Sequence, residues 1–182
     1  RQDYEGDYNV YLNDPRNINL GKKLITNKKI LIEKERLKEI NETEYHEILI
    51  NHTTPYSPFD ILENKSLLLE NNFDNLNAID WDKGCYVGQE ITARMKYRGL
   101  LKKKLYALKI KSGDVLEGDE LIVDNKKIGT IVSKANSNIF AALNINFVNE
   151  IKNKNQNLVI NDSLSFDFLN WKFFSIKTYW NY

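Results

Sequence analysis

Apolar and polar residues alternate in the second part of the chain, from about residue 100 onward. Tyr106, Leu108 and Ile110 are apolar, whereas Lys109 and Lys111 are charged. A period of two is typical of a strand that buries one face. The pattern therefore predicts that this part of the chain is built from β-strands.

Further strands are predicted toward the C-terminus. The predicted strands cover residues 120–124, 127–133, 138–148 and 164–180. The first two form a hairpin around Asn125 and Lys126, and Phe166 and Phe168 share one face of the last range, which is long enough for two strands. Several short strands without helices indicate a small antiparallel barrel or sandwich.

A helix is predicted earlier, over residues 42–51. Asn41 can cap it, and Glu44 follows three residues later, as in a capping box. The predicted apolar stripe consists of Tyr45, Ile48 and Leu49. A short strand is predicted over residues 8–12, and residues 24–32 fit either a strand or a helix.

A second helix is predicted over residues 87–97, ended by Gly99. Its apolar face would be Val87, Ile91 and Met95. Arg94 and Arg98 lie one helical turn apart on another face, where a planar guanidinium could hold carboxylates or backbone carbonyls. The alternative is an exposed pair of ordinary helix residues.

Composition narrows the class of protein. With 42% hydrophobic and 12% aromatic residues among 182, the chain is typical of a folded protein. The single cysteine excludes an internal disulfide and suits a reducing compartment. No apolar run is long enough to cross a bilayer, and no secretory signal pattern opens the chain. We therefore expect a cytoplasmic protein without a membrane partner.

Charge is balanced overall but unevenly distributed. Residues 91–113 contain no acidic residue. The basic residues of this block are Arg94, Lys96, Arg98, Lys102, Lys103, Lys104, Lys109 and Lys111. Such a block could bind a phosphate, a polyglutamate tail, RNA or an acidic partner, or it could be a solvated lysine face.

The single cysteine lies in the sequence KGCYVGQE, residues 83–90. Glycines allow a tight turn here, and helix-forming sequence follows at once. A thiol at a helix start is favoured as the thiolate, and Lys83 would add to that effect. The alternative is that Cys85 is a small, inert, buried residue.

This octet resembles the signature of the YgfZ-type folate-binding proteins, within the superfamily of the glycine-cleavage T-protein (GcvT, an aminomethyltransferase). Residues 68–74 are similar to the family's proline-leucine-glutamate-alanine-asparagine segment, with Leu68 where proline is usual. Residues 14–16, 20–21, 92–94 and 97–99 fit family patterns too. The resemblance is specific over about residues 14–106.

The resemblance implies an α+β fold. Residues 1–100 would be the C-terminal part of a GcvT/YgfZ-like folate-binding domain, with the N-terminal portion absent, and residues 101–182 a small antiparallel β-barrel. The single methionine is Met95. We therefore expect the chain to be the C-terminal part of a longer protein.

The resemblance also implies a cofactor, tetrahydrofolate or a derivative. Glu70 would receive the amino-pyrimidine edge of the pterin, since a carboxylate accepts two parallel N–H bonds. Tyr86 could pack against the flat heterocycle, and Lys83 and Arg94 are further candidate cofactor-binding residues. The alternative for Glu70 is a cap on the turn around residues 71–74.

The function implied is that of a folate-binding accessory protein, supporting maturation or repair of iron–sulfur enzymes, including tRNA-modifying ones. Cys85 would be its functional thiol. An iron–sulfur cluster needs about four ligands. Cys85 would therefore give one ligand to a cluster shared with an assembly or client protein. Reversible oxidation of the thiol is another possibility.

Two other functions remain open from the sequence. An authentic aminomethyltransferase would transfer a one-carbon unit to tetrahydrofolate, which would make the protein an enzyme. An RNA-binding module would use the basic block and the aromatic barrel, although no recognised RNA-binding motif is present. His46 and His52 lack cysteine or carboxylate at metal-ligand spacing, so we expect no zinc-type metal site.

Overall fold

The computed structural model describes residues 9–26, 38–154, 156–161 and 163–169. Its elements in chain order are β1 (Asn9–Asn13), β2 (Lys22–Thr26), α1 (Glu42–Asn51), α2 (Gln89–Tyr97), β3 (Lys103–Ser112), β4 (Glu120–Val123), β5 (Lys126–Ala135), β6 (Asn138–Asn144), α3 (Ile145–Asn153), β7 (Leu158–Asn161) and β8 (Leu164–Phe168). In these ranges no helix is long and apolar enough to cross a membrane.

Strands β3 to β8 form one antiparallel sheet, in the order β4-β5-β6-β3-β8-β7. The sheet curls until its two edge strands, β4 and β7, approach each other. This confirms the α+β class and the small antiparallel barrel, which is nearly closed.

Strand β3 lies in the middle of the strand order, between β6 and β8, and its central residues are buried on both faces of the sheet. Tyr106 and Leu108 point into the barrel core, where the fully buried Phe166 packs. Leu105 and Ala107 alternate with them and belong to a second apolar cluster on the opposite face. Burial on both faces explains the run of four buried positions in this strand.

The hairpin of β4 and β5 confirms the prediction, with its turn one residue earlier than expected. Asp124 and Asn125 occupy the turn with φ of 50° and 60°. Two consecutive left-handed residues match the right-handed twist of a two-residue hairpin. Strand β8 confirms the start of the range predicted over residues 164–180, whose remainder beyond residue 169 lies outside the described residues.

The strand predicted over residues 138–148 is wrong after Asn144, and so is the expectation of no helices. The Asn144 side chain accepts N–H bonds from Asn146 and Phe147 and thereby caps α3. Val148 and Ile151, one turn apart, are buried in the barrel core. Strand β7 was not predicted.

Helix α1 has the predicted bounds and capping box. Asn41 Oδ1 accepts from the Glu44 N–H at 2.8 Å, and Glu44 Oε2 accepts from the Asn41 N–H at 2.9 Å. The buried face is different from the predicted stripe, because His46 and Ile50 join Leu49, whereas Ile48 is 38% exposed.

Helix α1 lies across the outer face of β5 and β6. Its Ile50 belongs to the same apolar cluster as Leu105 and Phe140. At the edge of this contact, Asn138 donates to Glu47 and Asn51 of the helix. The first part of the chain is therefore fixed to the barrel through α1.

Strands β1 and β2 form a separate two-stranded ribbon. The strand predicted over residues 8–12 is observed as β1, one residue further on. Leu24 to Thr26 of the ambiguous range lie in β2, and residues 27–32 lie outside the described residues. After β1, the buried Asp14 is held by Arg16 at 2.8 Å and by Lys23 at 3.2 Å.

Candidate functional site

The segment that carries Glu70 is tied to the start of β3. The Leu105 N–H donates to Glu70 O at 2.7 Å, and Asn72 Nδ2 donates to Leu105 O at 2.7 Å. Asn72 is fully buried and has φ of 63°, a left-handed conformation that asparagine tolerates. Both backbone groups of Leu105 are thus used, and this fixes the position of Glu70.

The Glu70 carboxylate is accessible and paired. Its side chain is 19% exposed, and Oε2 lies 3.3 Å from the Lys103 ammonium. The carboxylate assigned to a pterin therefore has a protein partner, which is itself 55% exposed. A pair with one solvated member exchanges readily for a ligand, because such pairs contribute little.

The cysteine lies in a loop that precedes α2, and its thiol is free and exposed. The alternative that Cys85 is buried is therefore wrong. Gly88 has φ of 87° and is the N-cap of α2. The helix begins at Gln89, two residues later than the predicted start at residue 87. Cys85 thus lies in the loop, three residues before the N-cap Gly88, and not at the start of the helix itself.

The loop is closed at its C-terminal side by Gln89. The Gln89 N–H donates to Tyr86 O at 3.2 Å, and Gln89 Oε1 accepts from the Tyr86 N–H at 3.3 Å. Within the loop, the Lys83 ammonium lies 4.3 Å from the centroid of the Tyr86 ring. Lys83 and Tyr86 therefore contact each other across Cys85.

The N-terminal side of the loop contacts the end of α2. The Lys96 ammonium lies 3.5 Å from the Trp81 ring centroid and 5.5 Å from that of Tyr97. Partial burial lowers the pKa of Lys96, and the nearby Asp74 and Asp82 carboxylates oppose that shift. Trp81 is thus a packing residue, held by a cation and by the edge of Tyr97.

The predicted apolar face of α2 is on the surface. Val87 is fully exposed, Ile91 is 58% exposed, and Thr92 is the buried residue of the helix. On the other face, Arg94 Nη2 lies 2.5 Å from Glu90 Oε1, and both side chains are exposed. Arg94 thus holds a carboxylate, as the sequence allowed, but the partner is on its own helix.

A cleft of about 150 Å³ separates α2 from the Glu70 segment. It is lined by Ser66, Leu67, Leu68, Leu69, Gly88, Ile91, Thr92 and Met95. Glu70 follows this lining directly in the chain, whereas Tyr86 and Arg94 do not contribute to it. The predicted site residues therefore do not converge on this cleft.

Four of the eight basic residues in the block of residues 91–113 form ion pairs with acidic side chains of the described residues. Lys103 and Lys104 contact Glu70 and Asp74, the latter at 3.2 Å. Further along β3, Lys111 Nζ lies 3.0 Å from an Asp167 oxygen. Because these carboxylates lie outside the block, much of its charge is neutralised within the protein.

A buried polar cluster was not predicted from the sequence. His46 Nε2 lies 2.9 Å from Asp60 Oδ1, which also accepts from the Ser133 hydroxyl, and the Tyr56 N–H donates to Oδ2 at 2.7 Å. The carboxylate lies between imidazole and hydroxyl, so this is no nucleophile–base pair. It joins α1 and its following loop to β5.

The described residues contain no group of three or more histidine, cysteine or acidic side chains placed to hold a metal ion. Cys85 therefore belongs to no such group in these parts of the chain. What the arrangement offers is one exposed thiol on the loop before α2, an apolar cleft that Gly88 and α2 help to line, and an exchangeable carboxylate at Glu70.

Together, the α+β fold and the nearly closed six-stranded barrel are those of a C-terminal GcvT-like domain. The chain is similar to iron–sulfur cluster assembly factors of the IBA57 type, which are mitochondrial proteins. It is 34% identical to the homologue from Dictyostelium discoideum over 130 residues, covering 68% of the chain and 32% of that protein. No family model matches the chain.

Mammalian relatives carry the same name. The mouse (Mus musculus) factor is 30% identical over 103 residues, covering 56% of the chain and 28% of its own length. The human (Homo sapiens) factor is 30% identical over 110 residues, covering 59% and 30%. The chain thus spans about a third of the length of these relatives.

The expectation of a cytoplasmic protein is contradicted by these relatives, which are all named as mitochondrial. A single cysteine and a reducing compartment do not distinguish the cytosol from the mitochondrial interior, and so the sequence argument was too coarse.

Proposed function

We propose that this chain acts in the maturation of iron–sulfur proteins in the mitochondrion, as a folate-binding protein of the YgfZ type, with Cys85 as its functional thiol. The observation that carries the proposal is the exposed cysteine in the KGCYVGQE loop. The names of the relatives support the iron–sulfur role. The resemblance extends it to enzymes that modify tRNA.

Cys85 would act by ligating one iron of a cluster that is the cargo. The thiol would lose its proton to solvent, and the thiolate would take a coordination position of one iron from which an exchangeable ligand departs, with no change of oxidation state. A cluster of the usual kind needs about three more ligands. These would come from the iron–sulfur carrier or client protein, for which an exposed thiol is accessible.

Folate binding would use Glu70 and the adjacent cleft. Lys103 would release the Glu70 carboxylate, which could then accept two N–H bonds from the pterin edge. The apolar wall of leucines fits a flat ring. The cleft of about 150 Å³ is below the range of roughly 300–1,000 Å³ for enclosed ligands, so these residues fit the pterin edge and not the whole cofactor.

The other proposed cofactor residues would act at the rim. Tyr86 offers an aromatic face that Lys83 now covers, and both are close in sequence to Cys85. Arg94 would exchange its exposed partner Glu90 for a carboxylate of the folate tail, at small cost because that pair is solvated.

Two variants test the two halves of this proposal separately. We expect Cys85→Ala to abolish activation of a mitochondrial iron–sulfur enzyme while tetrahydrofolate binding is retained. The matched control is Val87→Ala, a fully exposed side chain two residues away. Unchanged enzyme activation with Cys85→Ala would remove the role of the thiol.

For the folate half, we expect Glu70→Gln to weaken tetrahydrofolate binding about tenfold or more, since a buried hydrogen-bond pair to a charged group is lost. The matched control is Asp74→Asn, which removes a neighbouring carboxylate paired with Lys104. Equal affinities of Glu70→Gln and the unaltered chain would remove Glu70 from the folate site.

A further inference from the structure

The loop that presents Cys85 is attached to α2 by an aromatic–cation contact. Trp81 lies at the start of the loop, and Lys96 and Tyr97 lie in the last turn of α2. The Lys96 ammonium is 3.5 Å from the Trp81 centroid, and the rings of Trp81 and Tyr97 meet edge to face at 6.4 Å. These three side chains form a cluster, here called the anchor.

The geometry of the anchor is that of a specific interaction. A cation within about 6 Å of an aromatic centroid is attracted by the negative face of the ring, most strongly for tryptophan. The Lys96 pKa is lowered by burial, which agrees with an ammonium partly removed from water. Attraction of this kind strengthens as the cation loses hydration.

The rest of the loop has few other attachments. Asp80 accepts from the Asp82 N–H at 3.0 Å, which shapes the turn after Trp81. Gln89 closes the other end on Tyr86. Adding a side chain at Gly84 would meet nothing within 4 Å, so the middle of the loop is not packed against the protein.

We propose that Lys96, through its contact with Trp81, is a positioning residue that fixes the loop presenting Cys85. The loop is then held at two points, the anchor at its start and Gln89 at its end, with the cysteine between them. The functional meaning rests on the proposed role of Cys85 in iron–sulfur maturation, whereas the anchoring itself does not.

Amide hydrogen exchange of residues 82–86 in the full 182-residue chain tests the anchoring. Lys96→Gln removes the cation, Trp81→Leu removes the ring, and the two are combined in a double variant. We expect each single variant to speed exchange in the loop by about two- to fivefold, as loss of one exposed cation–π contact allows. The double variant should fall short of the product of the two single effects, because both substitutions remove the Lys96–Trp81 contact, whereas only Trp81→Leu also removes the edge contact with Tyr97.

Two controls make the readout specific. Lys96→Arg keeps a cation over the ring and should restore slow exchange. Lys102→Gln removes an equal charge from an exposed lysine outside the anchor and should leave the loop unchanged. Trp81→Phe keeps an aromatic ring that attracts a cation less strongly than tryptophan does. Its rate of loop exchange should lie between those of the unaltered chain and Trp81→Leu.

Unchanged loop exchange in Lys96→Gln, or failure of Lys96→Arg to restore it, would overturn the proposal. If Cys85 acts as proposed, activation of the iron–sulfur enzyme should also fall about two- to fivefold in Lys96→Gln and return in Lys96→Arg. If exchange responds while Cys85→Ala leaves activation intact, the anchoring stands and the proposed function fails.

Discussion

The barrel and the segment before it, residues 66–98, are built by different means. The barrel buries large side chains such as Phe166, Ile131 and Leu143 almost completely. The segment is mainly turns with one short helix, and it exposes Val87 and Ile91. Apolar burial holds the barrel, whereas residues 66–98 bury only Leu69 and Leu76 of their large apolar side chains and rely also on polar and aromatic contacts, as expected where a binding surface must remain open.

The largest expected effect comes from the barrel core. Phe166→Ala should lower the free energy of unfolding by about 3–5 kcal/mol, because it leaves a cavity at a fully buried position. Val87→Ala, in the site segment, should change it by less than about 0.5 kcal/mol. Urea unfolding of both variants checks the contrast, and equal losses would contradict it.

The next effect tests the buried polar cluster that joins α1 and its following loop to the barrel. Asp60→Ala should cost about 2–4 kcal/mol in unfolding free energy, since the buried Ser133 hydroxyl and His46 lose their acceptor. Glu63→Ala, at an exposed position nearby, is the matched control. A loss no larger than that of the control would mean that the cluster does not stabilise the attachment of α1 and its loop to the barrel.

A smaller and pH-dependent effect is expected at Asp14. Hydrogen bonds from Arg16 hold the pKa of Asp14 well below its usual range. The stabilisation, about 1.5–3 kcal/mol for bonds to a charged group, is therefore present above the unfolded-state pKa of about 4. It is lost as the pH falls through the lowered folded-state pKa.

Unfolding of Asp14→Asn and the unaltered chain between pH 7 and pH 2 measures this contribution. The difference in unfolding free energy should be largest at neutral pH and shrink under acid. A difference in unfolding free energy that stays constant with pH would show that the ion pairs of Asp14 do not stabilise the end of β1.

The smallest predicted loss of unfolding free energy concerns α1, the helix that attaches the first part of the chain to the barrel. Asn41→Ala removes one half of the capping box of α1 and should cost about 1 kcal/mol in unfolding free energy. Thermal unfolding checks this, with Asn41→Ser, another good cap residue, expected to retain most of the stability. Equal losses in both variants would contradict a capping role.

Sequence reasoning succeeded where a structural signal is local. The alternation from Tyr106 to Ile110 predicted a strand of the barrel, and the Asn41–Glu44 spacing predicted α1. It failed for α3, because Ile145 and Phe147 continue the alternation of β6 while Asn144 ends the strand and caps a helix. Where a local pattern fits both a strand and a helix, tertiary packing determines which of the two forms.

The candidate site shows the same limit. The KGCYVGQE octet marked the cysteine loop, but α2 starts two residues later than predicted, after Gly88 in a left-handed conformation. The Glu70–Lys103 pair joins residues far apart in the chain, and so does the contact of Asp60 with Ser133. Such contacts have no signature in local spacing, and so the fold alone reveals them.

The central claim is that Cys85 gives one ligand to a cluster shared with a second protein. The most direct measurement is the visible circular dichroism of a cluster-loaded iron–sulfur carrier protein before and after the chain is added. We predict a changed spectrum at an equimolar ratio with the unaltered chain and none with Cys85→Ser. Identical spectra for the two chains would contradict the claim.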